Sequence, residues 1–165
     1  MELTIRNYEP RDLEECRALW RELTEWHREI YQDSSIGGVT PELKFDQHLA
    51  VVGSNQIWVA VDQSSIVGLI GLDCSGNEAE VEPIVVRRGY RNRGVGKQLL
   101  KIVIDEAERR HIRLLSVKPV ARNISTIKFL HRQGFKNVGF IELFIDLSKH
   151  NWKPGLRIFD CDFNY

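Results

Sequence analysis

The chain has 165 residues, 42% hydrophobic and 28% charged, an ordinary globular balance that argues against disorder. Lys and Arg number 23 and so do Asp and Glu, and a net charge of zero argues against a protein that coats nucleic acid. The zero hides a split: residues 1–86 carry 6 basic and 16 acidic side chains, whereas residues 87–165 carry 17 basic and 7 acidic ones. Such asymmetry marks either two chemically different partners or two halves that interleave in space and neutralise each other. Cys16, Cys74 and Cys161 are odd in number and far apart, which fits neither a disulfide framework nor a zinc site. The first residues show no basic segment followed by an apolar run, and the longest clean apolar stretch, Ile57–Val61, is too short to span a bilayer. The expectation is a soluble, cytoplasmic, non-membrane protein. With no repeat or low-complexity linker visible, a single domain over residues 1–165 is expected.

Residues 3–8 alternate like a short strand, and Pro10 marks the approach to a helix. From Asp12 to about Gln32, apolar residues recur at Leu13, Cys16, Leu19, Leu23, Trp26 and Ile30, the stripe of an amphipathic helix. Asp33–Pro41 is rich in Ser, Gly and Pro and reads as a loop, followed by a short helix from Glu42 to about Ala50. Three strand-like segments come next, Gln56–Val61, Ser65–Cys74 and Glu78–Val86, joined by turn-forming residues at Asp62–Ser64 and Ser75–Asn77. Gly94 to about Arg110 is helical, with Val95, Leu99, Val103 and Ala107 four apart. Leu114–Val120 reads as a strand, Ile124–Gln133 as a helix stopped by Gly134, and Val138–Leu147 and Leu156–Phe163 as two further strands. The order predicts an α/β fold with a mixed sheet and helices covering it.

The most informative segment runs from Ile84 to Gln98, where a β-branched strand feeds a basic, glycine-containing turn that opens into a helix. Unpaired amides at a helix start, the positive end of its dipole and full charges on Arg91, Arg93 and Lys97 make an anion site. Gly94 and Gly96 let phosphates approach the backbone. A Walker A loop fails here because Arg91 and Gln98 stand where Gly and Ser or Thr are needed, and a dinucleotide fingerprint fails at Leu99.

Val86 followed by Tyr90-Arg-Asn-Arg-Gly-Val-Gly96 resembles the acetyl-coenzyme A signature of the GNAT N-acetyltransferase superfamily, Arg/Gln-x-x-Gly-x-Gly/Ala. Downstream, Asn123-Ile-Ser-Thr-Ile-Lys-Phe-Leu-His-Arg-Gln-Gly-Phe135 is similar to the family's strand-to-helix Asn and its helix closing on Gly-Phe. The resemblance implies a mostly antiparallel central sheet with a splayed strand pair, flanked by about four helices. It implies acetyl-coenzyme A as co-substrate, with no metal. The coenzyme pyrophosphate would sit on the backbone of Arg91, Asn92, Arg93, Gly94, Val95 and Gly96, with Lys97 adding charge. The pantetheine arm would lie along Ile84, Val85 and Val86 like an added strand. Asn123 would orient the arm and Phe129 would pack on it. Pro83 cannot donate to a ladder and predicts a bulge or break in this strand, or else a plain edge strand.

Acetyl transfer needs a neutral amine, whereas a lysine-like amine has a pKa of about 10.4, so a carboxylate base is expected. Glu78, Glu80 and Glu82 share one face of a period-two strand; Glu80 is the first candidate, near the position of a family base, and Glu82 the second. The same three side chains are equally compatible with a solvated charged face. The family's usual thiolate-protonating Tyr falls on Leu130, with His131 rotated about 100° away. The acceptor wall implied by the resemblance is the first two helices and their loop, where His27, Tyr31 and Asp33 are the candidates. The expected reaction is direct transfer to a small-molecule or peptide amine in a ternary complex. The alternative is a non-catalytic acyl-coenzyme A-binding or regulatory domain. No nucleic-acid partner is expected, because the coenzyme explains the basic turn; a homodimer, frequent in the family, stays open.

Overall fold

The computed structural model describes residues 2–148 and 150–165. It divides into two compact units, Met1–Lys118 and Pro119–Tyr165. The first unit holds β1 (Leu3–Asn7), α1 (Leu13–Tyr31), α2 (Leu43–Val52), β2 (Ile57–Asp62), β3 (Ser65–Ser75), β4 (Glu78–Val86), α3 (Val95–Arg109) and β5 (Leu114–Ser116). The second holds α4 (Ile124–Arg132), β6 (Pro154–Ile158) and β7 (Cys161–Asn164).

The strands of the first unit form one sheet in the order β1-β2-β3-β4-β5, antiparallel except for the parallel β4–β5 pair. The core on one face joins Cys16 and Leu19 of α1 and Phe45 of α2 to Ile57, Val59, Leu69 and Val85 of the sheet. Each of these is at most 4% exposed. Cys16 is buried apolar filler, and burial pushes its thiol up to about 12. The start of α1 is anchored by buried Asp12, which accepts from both terminal nitrogens of Arg6 at 2.6 and 2.8 Å and from the Glu9 amide at 2.8 Å. On the other face α3 lays Val95, Leu99, Val103 and Ala107 against the sheet, and Gly68 of β3 makes room for it. A Cβ at Gly68 would stand 2.9 Å from Leu99 and 3.2 Å from Val95.

β4 contains the bulge that Pro83 predicts. Ile70 pairs with Ile84 and Leu72 with Val81, so Glu82 and Pro83 together oppose the single residue Gly71. A Cβ on Gly71 would lie 2.3 Å from the Glu82 carbonyl oxygen and 3.2 Å from Nε2 of His48 in α2. The bulge therefore requires glycine opposite it. Because directly paired residues point to the same side, the extra residue also flips the strand. Before the bulge, Glu78 and Glu80 lie on the α1–α2 face, opposite Ser75 and Asp73; after it, Val85 takes that face, opposite Leu69.

Three strand expectations differ from the structure. Leu114–Val120 shrinks to Leu114–Ser116, which pairs only with Glu78, Ala79 and Glu80. Beyond that point β4 bulges, and Pro119 has no amide to donate. In the second unit, 138–147 forms no strand despite its apolar and aromatic content, and Val138, Phe140, Ile145 and Leu147 are exposed. Leu156–Phe163 is a hairpin, because Phe159 and Asp160 both turn in the left-handed region between β6 and β7.

Gly71→Ala is expected to lower unfolding free energy by about 1–3 kcal/mol, since the obstructing atom is a backbone carbonyl; a denaturant midpoint unchanged from the parent contradicts this close packing. Burial also holds the half-buried His27 and His48 imidazoles below their ordinary value, Glu82 and Asp73 only partly opposing this at His48. The unfolded chain then binds protons near pH 6.5 and the native chain only at lower pH. Stability present above that value is lost as pH falls through the window. NMR titration should place both imidazole midpoints below 6.5, and a midpoint at or above 6.5 contradicts the burial argument.

Candidate functional site

Glu80 is the last β4 residue with a partner in β5, opposite Ser116, and also opposes Asp73 of β3. Its side chain is 23% exposed and its Oε2 accepts from Nζ of Lys118, two residues beyond the end of β5. That hydrogen bond, with further attraction from Glu82 and Asp73, raises the Lys118 ammonium above the ordinary lysine value. Glu78 pairs instead with Arg113 at 2.9 Å, and Glu82 is exposed within the bulge, where strand alternation breaks. Glu78 and Glu80 thus share a face, whereas Glu82 belongs to neither regular register.

From Val81 to Val86 the edge of β4 that faced β5 has no strand partner among the described residues. Val85 is buried, Ile84 and Val86 are half-buried, and the Val86 carbonyl accepts from Nε of Arg91 at 3.0 Å. The chain then passes a short 3-10 turn, Arg88–Tyr90, and enters α3 through two left-handed residues, Asn92 at φ 61° and Gly94 at φ 86°. Among the described residues the amides of Asn92, Arg93, Gly94, Val95, Gly96 and Lys97 have no acceptor; the Gln98 amide bonds the Gly94 carbonyl at 3.1 Å. A row of unsatisfied amides at the positive end of a fifteen-residue helix is suited to an anion. Nothing lies within 4 Å of a Cβ at Gly94, so glycine is required there by its dihedral angle and not by crowding.

The basic side chains of the turn divide into two groups. Arg93 and Lys97 are exposed, with the Arg93 guanidinium 5.7 Å from the Tyr90 ring centre. Arg87, Arg88 and Arg91 face a row of glutamates seven residues apart on α1. Arg87 lies 3.7 Å from Glu15, Arg88 lies 3.6 Å from Glu29, and Arg91 lies 3.8 Å from Glu22. The Arg88 amide also donates to Glu22 at 2.5 Å, and the Arg91 guanidinium covers the Trp26 ring at 5.3 Å. Arg91 is therefore a structural cross-link between turn, strand and helix.

On α1, His27 and Tyr31 are half-buried. The loop after α1 is fixed by Arg28, which donates to the carbonyls of Ile36 at 2.9 Å and Gly38 at 2.6 Å. Asp33 accepts from the amide and hydroxyl of Ser35 and lines an open concavity of about 520 Å³ with Glu25, Arg28, Glu29, Gln32 and Ser34. His27 and Tyr31 do not line it. In the second unit, Asn123 is buried and caps α4, its Oδ1 accepting from the Thr126 amide at 3.3 Å and the Ser125 hydroxyl at 3.0 Å. Phe129 is half-buried, Leu130 is 3% exposed and His131 is exposed. Among the described residues no three His, Cys, Asp or Glu side chains are grouped to hold a metal, and no helix is long and apolar enough to cross a membrane.

Two residues here escape the sequence reading. Asp73 has a signal: a two-residue turn at Gly76–Asn77 places it opposite Glu80. Lys118 has none, because its position depends on the non-local pairing of Ser116 with Glu80.

A family model described as Acetyltransferase (GNAT) family matches residues 17–135. A Xenopus tropicalis protein named Probable N-acetyltransferase 14 is 34% identical over 105 residues, covering 61% of this chain and 50% of that protein. The chain thus spans half the length of that relative. Among solved structures, a GNAT acetyltransferase from Staphylococcus aureus Mu50 superposes with TM-score 0.70 at 21% identity, covering 89% of this chain and 92% of that one. PaiA N-acetyltransferase from Thermoplasma acidophilum, solved in complex with coenzyme A, gives 0.69 at 21% identity, covering 99% and 97%. At these identities the two structures speak for the fold, and the family match covers most of the chain. The sheet that parts after Glu80, the glycine turn and the helix behind it are thus those of a member of the GNAT acetyltransferase family.

Proposed function

We propose that this chain moves an acetyl group from acetyl-coenzyme A to a primary amine by direct transfer in a ternary complex. The observation that carries the reading is the continuity of one feature. The unpaired edge of β4 from Val81 to Val86 runs straight into a turn whose amides from Asn92 to Lys97 have no acceptor. An arm rich in amides can pair with the first and a pyrophosphate with the second, helped by Arg93 and Lys97. The coenzyme A in the PaiA structure supports the same assignment.

Glu80 serves as the proton acceptor. It is partly buried, stands where β4 and β5 part, and already holds an ammonium group, that of Lys118. Once Glu80 takes a proton from the bound ammonium, nitrogen attacks the thioester carbonyl carbon, the carbon–sulfur bond breaks, and the second proton lost by nitrogen passes to water. A thiol pKa of about 8.5 lets water protonate the departing thiolate, which removes the need for a tyrosine at Leu130. Asp33 supplies negative charge suited to an acceptor that arrives protonated; Glu25 and Glu29 beside it are paired with Arg28 and Arg88. A second reading, an acyl-coenzyme A-binding domain without turnover, draws on Leu130 and on the engagement of Glu80 by Lys118.

Acetyl-coenzyme A binding by calorimetry, followed by thiol release over a panel of amines, separates the two readings. Glu80→Gln should lower turnover about 100-fold with coenzyme affinity unchanged. Gly94→Glu, which puts a carboxylate and an unfavourable dihedral at the helix start, should weaken coenzyme binding about tenfold or more. Parental turnover in Glu80→Gln removes the base, and parental affinity in Gly94→Glu removes the coenzyme site. Tight binding with no thiol release on any amine establishes the second reading.

A further inference from the structure

Lys118 presents a primary amine to the same carboxylate that the proposed function makes the proton acceptor. It follows the last β5 residue, Ser116, by two positions, and Ser116 is the partner of Glu80. Its Nζ reaches back to Glu80 Oε2, while the side chain remains 71% exposed. Asp73, directly across from Glu80, and Glu82 in the bulge add to the attraction on this one cation. The amine therefore stands where β4 loses its neighbour and its edge becomes free for an acyl donor's arm.

We propose that Lys118 is acetylated by its own chain, with acetyl-coenzyme A as donor. Glu80 takes one proton from the Nζ ammonium, and the freed lone pair attacks the thioester carbonyl carbon. The nitrogen–carbon bond forms, the carbon–sulfur bond breaks, and the second proton lost by nitrogen passes through water to the coenzyme thiolate. The products are Nε-acetyl-Lys118, protonated Glu80 and the free thiol. The acetylated nitrogen carries no charge, so the ion pair with Glu80 ends. The inference rests on the reading of Glu80 and of the coenzyme site given above.

The full chain is incubated with acetyl-coenzyme A and no other acceptor, and acetylation of each lysine is followed by peptide mass spectrometry. Lys118 should be modified at least about tenfold faster than exposed Lys44, with a rate constant independent of protein concentration. Glu80→Gln should slow Lys118 about 100-fold while leaving Lys44 unchanged. Equal rates at the two lysines, or a Lys118 rate constant that scales with protein concentration, overturns the proposal. Labelling with acetic anhydride, without coenzyme, tests the ion pair itself. Lys118 should react more slowly than Lys44 in the parent and gain reactivity in Glu80→Gln; identical Lys118 reactivity in parent and variant overturns it. If acetyl-coenzyme A does not bind, the proposed function falls with it. If the coenzyme binds and external amines release thiol while Lys118 stays bare, this inference alone falls.

Discussion

Two residues of β4, Glu82 and Pro83, stand opposite the single residue Gly71 of β3, and the rest of the site depends on that mismatch. The bulged carbonyl of Glu82 occupies the space where any other residue at 71 would carry its Cβ. The bulge reverses the faces of the strand, so Glu80 sits on the α1–α2 side while Ile84 and Val86, paired with Ile70 and Gly68, sit on the α3 side. Pairing with β5 stops at Glu80, one residue before the bulge. The carboxylate thus stands just before the irregularity, and the open strand edge runs through and beyond it.

The charge split between the two halves of the sequence is resolved in part within the first unit. Glu15, Glu22 and Glu29 repeat at seven-residue intervals on α1 and meet Arg87, Arg91 and Arg88 of the glycine turn. These contacts are partly exposed and between 3.6 and 3.8 Å, so they contribute orientation more than stability. They hold the turn against α1 and withdraw three arginines from its anion-facing side. The amides of Asn92 to Lys97, with Arg93 and Lys97, are left to meet an anion. Interleaving, one of the two meanings of the split, thus uses part of the turn's basic charge, and the exposed Arg93 and Lys97 are what remains for the other.

Much of this was legible in the residues because it is local. The stripe from Leu13 to Ile30, the hairpins around Gln63–Ser64 and Gly76–Asn77, and the glycine entry to α3 each follow from periodicity or dihedral preference. Pro83 announced a break in β4 because it lacks an amide. Non-local pairing was not legible. Leu114–Val120 and 138–147 are both rich in residues that favour strands, but composition does not say whether a neighbouring edge is available. The partner of Glu80 was hidden for the same reason: Lys118 stands beside it through the β4–β5 pairing of Glu80 with Ser116. Asn123 carries a plain local role as the cap of α4 beside any role toward a ligand.

The central claim is that the open edge of β4 and the glycine turn act as one surface for acetyl-coenzyme A. Amide hydrogen exchange, followed residue by residue with and without acetyl-coenzyme A, tests it most directly. The account predicts slowed exchange together at Asn92–Lys97 and at those amides of Val81–Val86 that do not bond to β3, with β1 and β2 unchanged. Protection confined to the turn, with exchange along Val81–Val86 the same in both states, would contradict it.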